Sequence, residues 1–221
     1  MQFVPGTPST ANSTIQAGSA TLTADGTSQT TIGVKLIDAQ GNAISTGGAT
    51  VGITSTLGTV SAVTDNNNGT YAATLMSPTT TGTATINASV GGSAITGTAT
   101  VQFVPGTPST ANSTIQAGSA TLTADGTSQT TIGVKLIDAQ GNAISTGGAT
   151  VGITSTLGTV SAVTDNNNGT YAATLTSPTT TGTATIGATI GGSAIAGTVS
   201  MQFVVGARRR RTARSKRAMQ R

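Results

Sequence analysis

The chain has 221 residues, which is enough for one or two domains of ordinary size. It contains no cysteine, histidine, tryptophan or glutamate, so aspartate is its only acid. This composition excludes a disulfide framework, a zinc site built on cysteine or histidine, and a nucleophile activated by histidine. Only 7% of the residues are charged, whereas threonine and glycine are abundant, which favours strands and turns. We therefore do not expect an enzyme.

The net charge of +4 hides an uneven distribution. Residues 207–221, with the sequence ARRRRTARSKRAMQR, contain seven arginines and one lysine. The other 206 residues contain two lysines and six aspartates, which leaves a net charge of −4 on the body of the chain. No run of about 18 apolar residues is present, so the sequence predicts no transmembrane helix.

The sequence repeats itself after 100 residues. Residues 1–100 and 101–200 align without a gap and differ at only eight positions, and a third copy begins at residue 201. A unit of this length is too long for a solenoid repeat, but it matches one immunoglobulin-like domain of about 100 residues. We therefore predict a tandem array of whole domains.

Within each repeat, apolar and polar residues alternate as they do in half-buried strands. Ile32, Val34 and Leu36 lie on one face of the first strand considered. Gly33 and Lys35 lie on its other face. Further strands are predicted at 49–55, 59–64, 70–76, 82–90 and 93–104, separated by turn-forming residues at 25–26, 38–42, 47–48, 65–69 and 91–92. The expected fold is all-β: two tandem immunoglobulin-like β-sandwich domains with about seven short antiparallel strands each.

The predicted domain boundaries are out of phase with the residue numbering of the repeats. The strand at 93–104 ends at Pro105-Gly106, a combination typical of a turn. We therefore predict domains at 5–104 and 105–204. Residues 1–4 are then the orphan last strand of a preceding domain that this chain lacks, so the chain is a fragment of a longer array. Residues 205–221 are predicted to form a basic, disordered tail.

The arginine-rich tail has two interpretations. A basic segment can bind nucleic acid or a membrane surface. The second interpretation is a reading-frame shift into the next repeat, because a one-base shift turns codons for proline, serine, threonine and alanine into arginine codons. The genetic code permits the observed residue at nearly every position from 208 to 221. We favour the frame shift and expect no evolved function for the tail.

Several short motifs together carry a family resemblance. They are ADG at 24–26, DAQGN at 38–42, LGT at 57–59, NGTY at 68–71 and GTA at 82–84, and each recurs 100 residues later. In this combination the sequence resembles the bacterial Ig-like domain of the invasin/intimin adhesin family, over both repeats. The resemblance implies an extracellular rod on a bacterial surface, anchored in the outer membrane by other parts of the full-length protein. It does not extend to an anchor or to a receptor-binding tip.

No catalytic, cofactor-binding or metal-binding residue is predicted. The segment from Asp65 to Gly69 resembles a calcium-binding loop, but its glycine is fifth rather than sixth, and Met76 replaces the twelfth-position glutamate. We interpret it as a hairpin turn. Two alternatives are a calcium ion held between domains by Asp25 and Asp38, and a glycosidase-like pair of aspartates. The second is disfavoured because every aspartate lies in a tight turn without an aromatic sugar platform.

Lys35 is the only lysine of the first repeat. Some surface adhesins crosslink a buried lysine to an asparagine. Because Lys35 alternates out of phase with the apolar face of its strand, we expect it to be exposed to solvent instead.

The predicted function is a non-catalytic structural spacer, a stalk fragment of a bacterial cell-surface adhesin. The expected partners are neighbouring Ig-like domains of the same array and an unidentified receptor, with no nucleic acid and no cofactor, and the chain is expected to be a monomer. The alternative is a multivalent module whose repeated face binds a glycan or a protein. An exposed aromatic cluster would favour that alternative, but Tyr71 and Phe103 lie in phase with the core.

Overall fold

The computed structural model describes residues 4–206. The predictions for residues 1–3 and for the tail at 207–221 therefore lie outside the described residues. Within residues 4–206 the fold is all-β, with eighteen strands, nine in each repeat. Between residues 4 and 206 there is no helix long and apolar enough to span a bilayer.

From here on, the first repeat denotes residues 5–104 and the second repeat residues 105–204, and the strands have equivalent positions in both. In the first repeat they are β1 (Thr14–Ala17), β2 (Thr21–Thr23), β3 (Gln29–Lys35), β4 (Val51–Ser55), β5 (Thr59–Val60), β6 (Thr64–Asp65), β7 (Thr70–Met76), β8 (Gly82–Val90) and β9 (Ser93–Val104). In the second repeat they are β10 (Thr114–Ala117), β11 (Thr121–Thr123), β12 (Gln129–Lys135), β13 (Val151–Ser155), β14 (Thr159–Val160), β15 (Thr164–Asp165), β16 (Thr170–Thr176), β17 (Gly182–Ile190) and β18 (Ser193–Val204).

Each repeat builds two sheets. In the first repeat one sheet has the order β1-β3-β7-β5, with β6 also paired to β7, and the other has the order β2-β9-β8-β4. The second repeat has the same two sheets, β10-β12-β16-β14 with β15, and β11-β18-β17-β13. Neighbouring strands are antiparallel except for β2 with β9 and β11 with β18, which run parallel. This is a β-sandwich, and the predicted fold class is confirmed.

The chain divides into two compact units. The first holds the residues up to Asn112 together with Leu136–Ser145, and the second holds Ser113–Lys135 together with the residues from Thr146 onward. The two sheets of the first repeat lie wholly in the first unit, and those of the second repeat lie wholly in the second.

The predicted strands at 70–76, 82–90 and 93–104 are confirmed with the same bounds. The strand predicted at 49–55 begins only at Val51, and the one predicted at 59–64 is two short strands, β5 and β6. The short strands β1 and β2 raise the total above the seven that we expected.

The core of the first repeat lies between its two sheets. The alternating pattern of β3 places Ile32 and Val34 inside, and Leu36 follows them into the core. The single tyrosine and phenylalanine, Tyr71 and Phe103, are each only 2% exposed. Burying a side chain of this size contributes about 1.5–3 kcal/mol. The two aromatic side chains therefore stabilise the sandwich and do not form a surface patch.

Candidate functional site

Asp25 lies in the turn between β2 and β3. Its Oδ1 accepts the backbone N–H groups of Thr27 and Ser28 at 2.7 and 2.6 Å, and Ser28 Oγ donates to Oδ2 at 2.6 Å. Ser77 Oγ, just after β7, donates to Oδ1 at 3.0 Å. These donors, Ser28 above all, hold the pKa of Asp25 far below its ordinary value. The carboxylate thus connects the turn between β2 and β3 to the end of β7.

Asp38 lies in the turn at 38–42 and is only 1% exposed. Its Oδ1 accepts the backbone N–H groups of Gln40 and Asn42 at 3.0 and 2.8 Å. Its Oδ2 accepts Asn42 Nδ2 at 3.0 Å and the backbone N–H of Gly6 at 2.9 Å. The side chain of Asn42 and the N–H of Gly6 lower the pKa of Asp38 to about 2. This aspartate joins the turn to the segment that precedes β1.

The equivalent aspartate of the second repeat, Asp138, has the same arrangement. Its Oδ2 accepts the backbone N–H of Gly106 at 2.9 Å and Asn142 Nδ2 at 3.0 Å. Burial by itself would raise the pKa of Asp138, but the donors outweigh burial and the pKa is lowered. Gly106 follows β9 by two residues, so the buried carboxylate lies at the predicted start of the second domain.

Asp65 connects the turn at 65–69 to the loop at 47–49. Its Oδ2 accepts the backbone N–H of Gly48 at 2.7 Å, and its Oδ1 accepts that of Asn67 at 2.8 Å. The hydroxyl of Tyr71 accepts the N–H of Ala49, in the same loop as Gly48, at 3.0 Å. Gly48 and Asn67 mainly account for the lowered pKa of Asp65. β6 and β7 pair antiparallel across this turn and Asn67 has a left-handed φ of 59°, so the predicted hairpin turn is confirmed.

All six aspartates therefore serve as acceptors for N–H and O–H groups of nearby turns and loops. Within residues 4–206, no three aspartates or other metal-ligating side chains come together. A calcium ion at Asp25 or Asp38 would have to compete with donors that already contact both carboxylate oxygens. The carboxylates are structural acceptors in this arrangement.

The lowered aspartate pKa values predict how stability depends on pH. A group whose pKa is lower in the folded state stabilises the fold above its unfolded pKa, about 3.9 for aspartate, and this stability is lost as the pH falls through the folded pKa. Because the chain has no histidine or glutamate, we expect a constant melting temperature from about pH 8 to 5 and a steady fall from about pH 4 to 2. Thermal denaturation followed by circular dichroism measures this profile. A change of stability centred near pH 6 would contradict it.

A shallow groove crosses the outer face of the sheet formed by β1, β3 and β7. The strand register places Gln16, Gly33 and Ala72 side by side in one row. The next row consists of Thr14, Lys35 and Thr70. Since the floor at Gly33 has no side chain, the surrounding polar side chains form the walls. We call this feature the groove; its volume is about 340 Å³ in the first repeat and about 240 Å³ in the second.

Gly33 is not required by the local backbone or by packing. Its φ is outside the left-handed region, and a Cβ built on it would meet no atom within 4 Å. Glycine inside a strand costs about 0.5–1 kcal/mol relative to alanine. Such a residue often marks a place where a ligand or another backbone approaches closely.

Lys35 lies at the edge of the groove, and its predicted exposure is confirmed. Its ammonium group forms no ion pair with another residue of the described part of the chain. Lys135 occupies the same position in the second repeat. Sequence reasoning did not find the groove, because its walls come from three strands and a turn.

Comparison with known proteins identifies the family. The family model described as invasin, domain 3, matches residues 9–106 and 109–206, which is one copy per repeat. Among solved structures, invasin, described as a bacterial integrin-binding protein, is 28% identical with a TM-score of 0.71. The match covers 92% of this chain and 42% of invasin.

Two further adhesin structures are similar. InvD of Yersinia pseudotuberculosis is 32% identical with a TM-score of 0.64, over 90% of this chain and 59% of InvD. The Escherichia coli adhesin FdeC is 26% identical with a TM-score of 0.72, over 92% of this chain and 67% of FdeC. The chain thus spans less than two thirds of the length of invasin and of InvD. Because the family model covers nearly all of both repeats, the chain belongs to the invasin/intimin family of bacterial adhesins, as two tandem copies of invasin domain 3.

Proposed function

We propose that this chain is a non-catalytic spacer from a bacterial surface adhesin. In this role the repeats hold a distal binding part away from the cell, and parts of the adhesin outside this sequence anchor it in the outer membrane. The repeats are extracellular and monomeric, and their partners are further Ig-like domains of the same array. The domains are 5–104 and 105–204. The family matches at 9–106 and 109–206 and the end of β9 at Val104 support these boundaries.

The observation that carries this proposal is that the carboxylate and aromatic groups of each repeat are used internally. Each carboxylate accepts hydrogen bonds from its own turns, and Tyr71 and Phe103 are buried in the core. No buried side-chain nitrogen or oxygen lacks a partner anywhere in residues 4–206. A catalytic site needs groups whose hydrogen-bonding capacity is kept for a substrate, whereas a spacer needs only a stable fold.

The spacer role predicts that adhesion depends more on the length of the array than on the surface of its repeats. We would delete residues 105–204 from the adhesin that carries these repeats and measure adhesion of whole cells, with and without long surface polysaccharide. Deletion should leave adhesion of bare cells unchanged and reduce adhesion of polysaccharide-coated cells. An unrelated immunoglobulin-like domain of equal length, inserted at the same point, should restore it. If the unrelated domain fails to restore adhesion, the repeat surface itself has a binding role.

A further inference from the structure

The groove contains polar groups that the protein itself does not use. The ammonium of Lys35 and the side-chain amide of Gln16 make no hydrogen bond to the described residues, although both border the open floor over Gly33. Asn66 Nδ2 donates to Thr70 Oγ1 at 2.9 Å. The side-chain oxygen of Asn66, Oδ1, accepts no hydrogen bond from the described residues. Donors and acceptors therefore surround a floor made of Gly33 and Ala72.

The composition of the walls indicates the class of ligand. The two larger apolar residues at the groove, Val34 and Tyr71, are each only 2% exposed, so neither offers an exposed side chain to seat that of a peptide. Hydroxyl and amide groups around a flat floor suit the hydroxyl groups of a sugar ring, which needs many hydrogen bonds. Lys35 is the only lysine or arginine of its repeat, so it is the one side chain there that can form a charge-assisted hydrogen bond with a carboxylate on the sugar.

We propose that each groove binds an acidic saccharide, with the carboxylate of the sugar on Lys35 or Lys135 and its hydroxyl groups on Gln16 and Asn66 or their counterparts. The ring lies over Gly33 or Gly133, where a side chain would exclude it. One shallow groove binds weakly, because few atoms of the sugar are removed from water. Two grooves on one chain increase the strength of binding to a surface that displays many copies of the sugar. This binding role goes beyond that of a spacer.

The test is an NMR titration of the full chain with two acidic probes, sialyllactose and trigalacturonate, and with neutral lactose as the comparison. We expect saturable shifts of the amide signals of Gly33, Gly133 and the adjoining wall residues with at least one acidic probe. Lactose should give much smaller shifts. The absence of saturable shifts at Gly33 and Gly133 with both acidic probes would overturn the proposal, as would equal shifts from lactose.

Matched variants separate the groove from the basic tail, which is present in every sample. Changing both Gly33 and Gly133 to threonine should fold, since each site has room for the side chain, and should abolish the shifts in the walls. The control changes Gly97 and Gly197 to threonine; these strand glycines also have no atom within 4 Å of a built Cβ but lie outside the groove, and binding should be unchanged. Binding that survives in the first variant, or is lost in the control, contradicts the assignment.

The charge is tested separately. Changing Lys35 and Lys135 to glutamine should weaken binding about tenfold, because a charge-assisted hydrogen bond is replaced by a neutral one. Lys35→Arg with Lys135→Arg keeps the charge and should retain most of the affinity. Equal affinity of the glutamine and arginine variants would show that the carboxylate does not bind to this residue.

Discussion

Residues 5–104, produced alone, are expected to fold cooperatively, whereas residues 1–100, of equal length, are expected not to fold. The shorter C-terminus removes Val101 and Phe103, which are 0% and 2% exposed, together with the pairing of β9 with β2. The loss of two fully buried side chains and the cavity that remains cost about 5 kcal/mol or more. A domain of this size has a total stability of about 5–15 kcal/mol, so little or none remains.

Thermal and urea denaturation of the two fragments, followed by circular dichroism, measures this difference. Residues 1–4 repeat the Gln-Phe-Val sequence of residues 102–104, but they precede β1 and would have to reach β2 by a different connection. A 1–104 fragment is the control, and it should melt at the same temperature as 5–104. Equal melting temperatures of 1–100 and 5–104 would count against the domain boundaries that we propose.

Gly69→Ala is expected to destabilise the first repeat by about 3–5 kcal/mol. Gly69 is buried with a φ of 78°, and a Cβ there would overlap the backbone carbonyl of Ile44. The carbonyl of Gly69 also accepts the N–H of Leu36 at 3.0 Å, so any backbone shift that relieves the overlap disturbs this bond. Urea denaturation of the full chain should show an early transition, with the second repeat as an internal reference.

Gly92→Ala is the matched control for this variant. Gly92 also has a positive φ, 83°, but a Cβ there would meet no atom within 4 Å. The Gly92→Ala substitution should therefore lower the free energy of unfolding only by the cost of a left-handed backbone at alanine, about 1–2 kcal/mol. If the two variants lower stability equally, the contact with Ile44 is not what requires glycine at position 69.

The fold was largely predictable because strand alternation and turn residues are local signals. The prediction of one continuous strand at 59–64 was wrong because a side chain there replaces part of the backbone hydrogen bonding to β7. Ser61 Oγ accepts the N–H of Thr74 at 2.9 Å, and this interrupts the regular pairing with β7 between β5 and β6. The strand β2 was missed because it has three residues and pairs with a strand about 80 positions later.

The candidate sites were less predictable than the strands. Asp38 was correctly expected in a turn, but its burial depends on the N–H of Gly6, which is 32 residues away in the sequence. The groove depends on the register that brings Gln16, Gly33 and Ala72 into one row. Such registers follow from tertiary pairing, and a single sequence does not specify them.

The parallel pairing of β2 with β9 determines how a repeat responds to mechanical tension. A force pulling on the two ends of the repeat passes through β1 first, and it then reaches β2 at its N-terminal end and β9 at its C-terminal end. Because the strands are parallel, such a force loads their pairing in shear. The pairing consists of three rows of paired residues. It also includes two backbone hydrogen bonds, from Gln102 N to Ala20 O and from Ala24 N to Val104 O, each 2.8 Å long. Shear strains all of these bonds together, whereas an antiparallel hairpin pulled from its open end loses them one after another. The β2–β9 pairing therefore breaks as a unit and not one bond at a time.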